Sequence, residues 1–243
     1  DVAAVAKYGI VTHSVAVQST GWLGVPVQVN GGASVVTDTT VTVDDNATLT
    51  LLVTQTSGTD AGGTAYLFDH WILNGVAQTQ GKADLTLSNV KTDPNTAIAA
   101  YVKVTRNLSV GSSPFTPISV SVNSTAVNTP YTTTVTDNSS LTLVAPLNAA
   151  SGGVDYVFDV WTVNGVDQTK GALTYTLASV KSDIAAIAKY VIVSRSVAVQ
   201  STGLTGVPVR VNGISTVSTN TTVTVNDNTN LTLAVTQTSM TDT

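Results

Sequence analysis

The chain contains no cysteine and, among its fifteen acidic residues, no glutamate. The first absence excludes disulfides and thiolate metal sites, and it leaves the redox compartment unreadable from thiols. The second removes a good helix former from a sequence rich in valine and threonine, which favour strands. No stretch carries a helical period. Charge is scarce as well: 10% of the 243 residues are charged, against roughly 25% in an ordinary soluble chain. A net charge of −5 without any lysine or arginine cluster argues against a nucleic-acid partner. No apolar run approaches the ~18 residues of a membrane-spanning segment.

Chemistry-bearing patterns are missing too. The two histidines are His13 and His70, and their repeat equivalents, Arg195 and Val160, show that neither position requires imidazole. No P-loop, H-E-x-x-H, G-x-S-x-G or EF-hand pattern occurs. Asp44 and Asp45 are adjacent, but "VDDN" is turn chemistry and lacks the ligand spacing of a calcium loop. The sequence therefore predicts no catalytic residue, no metal and no cofactor, and it is read as a non-enzyme.

What is present is repetition. "AKYGIVTHSVAVQSTG" at Ala6 returns as "AKYVIVSRSVAVQSTG" at Ala188, an offset of 182 that holds without a gap to the end of the chain. A weaker copy lies between: "YLFDHWILNGVAQTQG" at Tyr66 meets "YVFDVWTVNGVDQTKG" at Tyr156, an offset of 90. Each unit is thus about 90 residues. The expected layout is a closing strand of a preceding repeat over 1–8, repeats over 9–100 and 101–189, and the first half of a third over 190–243. "DVAAVAKY" at Asp1 matches "DIAAIAKY" at Asp183, and the third unit lacks the F-x-x-W half. The expectation is a window on a longer array, or a subunit completed by another copy through strand exchange.

Alternation of period two is frequent, and hydrophobic residues make up 42% of the chain, enough for real cores. "TVTVDDNATLTL", "TVTDNSSLTL" and "TVTVNDNTNLTL" each read as a hairpin over an Asp-Asn turn, and Asn74-Gly75 and Asn164-Gly165 are stronger hairpin signals. Short strands at near-regular spacing predict an all-β fold of tandem antiparallel, immunoglobulin-like β-sandwiches. The boundary "AIAAYVKVTRNLSV" has no glycine- or proline-rich linker, which predicts a stiff, rod-like array. Phe68 with Trp71, and Phe158 with Trp161, are the expected core anchors. Their three-residue spacing puts both rings on one strand face only if a bulge lies between them.

Other residues are candidates for contact or modification. Trp22 sits in "STGWLGVP", a loop whose later copy has Leu204, and it is the candidate partner or sugar contact, ahead of Phe115 and Tyr131. Six N-x-S/T sequons, at Asn46, Asn107, Asn123, Asn138, Asn220 and Asn230, are candidate N-glycosylation sites. Lys7 and Lys189 invite comparison with Lys–Asn isopeptide bonds, but Ala100 holds the matching place in the first unit.

The succession of a "GVPV-x-VNG" strand, "Y-x-F-D-x-W-x-x-NG" and a closing "A-I-A-x-Y" resembles tandem immunoglobulin-like or internalin B-repeat-like modules of prokaryotic cell-surface proteins. That resemblance implies extracellular β-sandwich modules serving as stalks, surface-layer blocks or adhesin shafts, and it assigns no ligand. The expected function is a structural surface protein that self-associates or continues into a longer array. The alternative is a carbohydrate-binding or adhesive module of a secreted protein.

Overall fold

The computed structural model describes residues 5–93 and 95–237. Among them there are strands and turns but no α-helix, so no helix is long and apolar enough to cross a membrane. Contacts gather the chain into two compact units. The first runs up to Arg106 and includes Thr134–Ser139 and Ala178–Ser182; the second comprises Asn107–Thr133, Ser140–Leu177 and the chain from Asp183 onward.

The first repeat builds ten strands: β1 (Thr12–Thr20), β2 (Pro26–Val29), β3 (Ser34–Val36), β4 (Thr39–Asp44), β5 (Leu49–Val53), β6 (Ser57–Thr59), β7 (Ala65–Leu73), β8 (Val76–Ala77), β9 (Asp84–Leu87) and β10 (Asn95–Lys103). They form one sheet in the order β4-β1-β10-β7-β6, with β8 on β7, and a second in the order β3-β2-β5-β9. Alternating residues of both sheets meet in one core around Val15, Val17, Leu49, Leu51, Phe68, Trp71 and Tyr101.

The second repeat gives the same series: β11 (Thr105–Ser113), β12 (Ser119–Val122), β13 (Thr125–Asn128), β14 (Tyr131–Thr136), β15 (Leu141–Val144), β16 (Asn148–Ser151), β17 (Val154–Val163), β18 (Val166–Asp167), β19 (Thr174–Leu177) and β20 (Ile184–Ile192). Its sheets run β14-β11-β20-β17-β16 and β13-β12-β15-β19. The third repeat supplies β21 (Ser194–Val199), β22 (Pro208–Val211), β23 (Ser215–Ser218), β24 (Thr221–Asn226) and β25 (Leu233–Val235). Here β21 pairs β24, and β22 lies between β23 and β25.

One pairing departs from an all-antiparallel sandwich. The first and last strands of a repeat are adjacent and parallel: Val15 faces Asn95 and Thr20 faces Ala100 in β1 and β10, and Leu108 faces Ile184 in β11 and β20. A parallel pair carries the chain in at one end of the sheet and out at the other, whereas an antiparallel pair would return it to its starting end.

The Asp-Asn segments are not hairpins. β4 pairs with β1 while β5 pairs with β2 and β9, so the turn after Asp44 crosses from one sheet to the other. The turn is tight, with the Ala47 N–H donating to the Asp44 carbonyl at 3.0 Å, and Asn46 takes the left-handed conformation at φ 60°. Alternation reports which face a residue takes and is silent on which strand pairs with which. The Asn-Gly turns are hairpins: Leu73 pairs Val76 across Asn74 and Gly75, both at positive φ, as a type I′ turn requires.

The bulge needed by the aromatic spacing is present. Along β10 the register passes from Ala100 opposite His70 to Tyr101 opposite Phe68, leaving Asp69 as the extra residue. In β17 the pairing skips Asp159 in the same way. Phe68 and Trp71 thereby share the core face, their rings 6.1 Å apart edge to face, and Phe158 and Trp161 lie 6.1 Å apart with tilted rings.

The expected closing strand over 1–8 lies partly outside the described residues; Val5–Tyr8 carry no strand and are exposed. In the third repeat Leu233 and Val235 are 44% and 56% exposed. Their equivalents Leu51 and Val53 are buried in the first core.

Candidate functional site: the joints between repeats

Each repeat ends in one long strand and the next begins in another, with a single residue between them: Val104 between β10 and β11, and Val193 between β20 and β21. Both valines have their backbone polar groups satisfied on each side. In the first unit the Val104 N–H donates to the Ala65 carbonyl at 2.9 Å, and its carbonyl accepts from the Asp137 N–H at 2.8 Å. In the second unit the Val193 N–H donates to the Asp155 carbonyl at 2.9 Å, and its carbonyl accepts from the Asp227 N–H at 2.8 Å. Asp137 and Asp227 stand in the sheet-crossing turns, and Ala65 and Asp155 at or near the start of the Trp-bearing strands β7 and β17.

Side chains tighten both joints. In the first, Arg106 Nε and a terminal guanidinium nitrogen donate to Asp137 Oδ1, each at 2.8 Å. Lys181 Nζ donates to Asp137 Oδ2 at 3.2 Å and to the Gly63 carbonyl at 2.7 Å. Asn138 Nδ2 donates to the Gly62 carbonyl at 2.7 Å. The Asp137 side chain is only 2% exposed, and a carboxylate so enclosed is tolerable because it is paired and hydrogen-bonded. The bond from Arg106 foremost, with Lys181 beside it, holds its carboxyl below the usual carboxylate range.

A glycine turn makes this approach possible. A Cβ on Gly63, whose φ is +83°, would lie 2.9 Å from Asn138 Nδ2, so a side chain there meets both backbone strain and a clash. In the second joint Arg195 Nε reaches Asp227 Oδ1 and its terminal nitrogen reaches Asp155 Oδ2, both at 2.8 Å. The Asp155 N–H donates to Asp227 Oδ2 at 2.8 Å; that bond, with Arg195, lowers the Asp227 carboxyl.

The first repeat has the same turn with a different cation. His13 Nε2 lies 2.8 Å from Asp45 Oδ1 and Nδ1 lies 3.0 Å from Asp93 Oδ2. With both ring nitrogens protonated the imidazolium donates to both carboxylates, and the two bonds, Asp45 first, raise the imidazole's pKa. Asp93 is held low, first by the Ser14 N–H at 2.6 Å and then by His13. Sequence reading passed over these clasps. The signal was an alignment of all three repeats with small gaps, which places His13, Arg106 and Arg195 in one column and Asp45, Asp137 and Asp227 in another.

The sequence candidates fall elsewhere. Trp71 and Trp161 are buried, and each indole N–H donates at 2.9 Å, to the Ala83 and Leu173 carbonyls. Trp22 is half-buried against the first core. One indole face lies on Tyr66 at 6.3 Å, with Tyr101 edge-on at 5.5 Å. Phe115 stands at the matching place in the second repeat, 4.7 Å from Tyr156 and 6.3 Å from Tyr190. Tyr101 and Tyr190 donate their hydroxyls to the Gln55 and Pro146 carbonyls at 2.6 and 2.9 Å, and burial pushes both phenols up to about 12.

Of the sequon asparagines, Asn46, Asn107, Asn123, Asn220 and Asn230 are exposed. Asn138 is half-buried with its amide committed to Gly62. Lys189 donates to Asp167 at 2.8 Å. Among the described residues no group of three or more His, Asp or other ligating side chains could hold a metal ion. Among the described residues an open groove lies about Asn107, Thr132, Asn164 and Asp183, with Leu108, Ile184 and Ala185 completing a largely apolar lining. Comparison with protein-family models, with curated proteins and with solved structures returns no match.

Proposed function

We propose that the protein is structural: a stiff array of immunoglobulin-like β-sandwich modules that forms part of an extracellular surface layer, stalk or filament. The observation that carries this reading is the joint. A single-residue connection whose N–H and C=O are both bonded, backed by a buried carboxylate clasp, suits modules meant to hold a fixed relation. The parallel pairing of first and last strands supports it, because such a module passes the chain from end to end. Low charge and the exposed sequon asparagines accord with a place at the cell surface. The sugar-contact alternative has less support, since one face of the Trp22 indole is taken by Tyr66.

Negative-stain electron microscopy of the purified chain, with light scattering alongside, tests the proposal. Filaments, lattices or straight single particles are the expected outcomes. Compact round particles of monomer mass would count against it.

A further inference from the structure

Three features of the first repeat reproduce the receiving half of a joint. Val11 stands where Val104 and Val193 stand, and its carbonyl accepts the Asp45 N–H at 2.8 Å, as theirs accept Asp137 and Asp227. Asn46 matches Asn138: their N–H groups donate to the Val90 and Val180 carbonyls, both at 2.7 Å. Lys91 matches Lys181. In the first joint Val104 N–H, Asn138 Nδ2 and Lys181 Nζ are the three donors that grip the carbonyls of Ala65, Gly62 and Gly63. In the first repeat the corresponding residues Val11, Asn46 and Lys91 are all exposed.

Burial points the same way. The acidic residue of the turn is 2% exposed in Asp137 and 15% in Asp227, but 49% in Asp45.

We infer that Val11, Asn46 and Lys91 form a docking surface for the Gly-Gly turn of a further module of this kind. The occupant is set by the complementarity on the receiving side. Three donors at these positions take three backbone carbonyls, and the amide at Asn46 leaves room only for a turn without side chains, as Gly63 shows. The inference rests on the structural reading above and adds to it a specific surface and a specific partner.

The test extends the full chain by placing a second copy of residues 105–187 immediately before Ala6, which restores the Ala188–Val193 spacing at Ala6–Val11. Amide hydrogen exchange is then followed by NMR. The expected result is a Val11 N–H that exchanges at least tenfold more slowly than in the parent, with Tyr8 protected from solvent. The protection of Val11 should be lost on combining Asn46→Ala with Lys91→Ala, while Tyr8 stays protected. A folded added module with Val11 exchanging as in the parent would overturn the inference. So would an added module that does not fold, because the inference requires Ala6–Ile10 to complete it. In either case Val104 and Val193, still protected, would show that the internal joints and the structural reading stand.

Discussion

At the scale of single residues, two kinds of side chain do separate work. Trp71 fills the centre of the first sandwich, has no measurable exposure and satisfies its one polar atom on Ala83. Replacing it by alanine removes its buried contacts and leaves a cavity. Trp71→Ala should cost about 3–5 kcal/mol, read as an earlier guanidinium transition by far-UV circular dichroism. His13 works through charge. Its folded pKa is raised, so its contribution is complete below about 6.5 and is lost as pH rises through the raised value. Asp93, with a lowered pKa, contributes above about 3.9 and is lost as pH falls through its folded value. The clasp is therefore strongest between those limits. An NMR titration should place the imidazole above its ordinary value, and His13→Arg should flatten the stability profile of the first repeat above pH 6.5. The tryptophans were legible because an aromatic recurring at a fixed offset in a β-repeat is most economically a core anchor. The histidine clasp was not, because its partners lie 32 and 80 positions away and only the fold brings them together.

Individual elements show where pattern reading succeeds and where it stops. The bulge at Asp69 follows from Phe68 and Trp71 having to face one way, and deleting the extra residue tests it. Without Asp69, one of the two rings is turned to the solvent face, and the first sandwich should lose its cooperative transition. The Asn-Gly hairpins were legible for the same local reason: two consecutive positive-φ residues admit few alternatives. The Asp-Asn turns were misread as hairpins, since "TVTVDDNATLTL" has hairpin chemistry, yet its strands find better partners in different sheets. That crossing places Asp137 at the joint. Asp137→Ala leaves the Arg106 guanidinium without its carboxylate and Lys181 without half its bonds. It should speed amide exchange at Val104 while leaving Trp161 buried, as judged by unchanged emission from that indole.

For the whole molecule, the repetition and the all-β class could be read from the chain, because near-identical segments at a fixed offset repeat one supersecondary unit. The joints could not. The absence of linker residues marks where they lie, but the hydrogen bonds at each joint link a one-residue connector to turns more than thirty positions away. Small-angle X-ray scattering of the purified 243-residue chain, compared with Asp137→Ala, tests the central proposal most directly. A compact chain of this length would have a radius of gyration of about 18 Å. The account predicts a clearly larger value with the distance distribution of a straight rod, and a shorter, broader distribution once the clasp is removed. A radius near the compact value, or a distribution the substitution leaves unchanged, would contradict it.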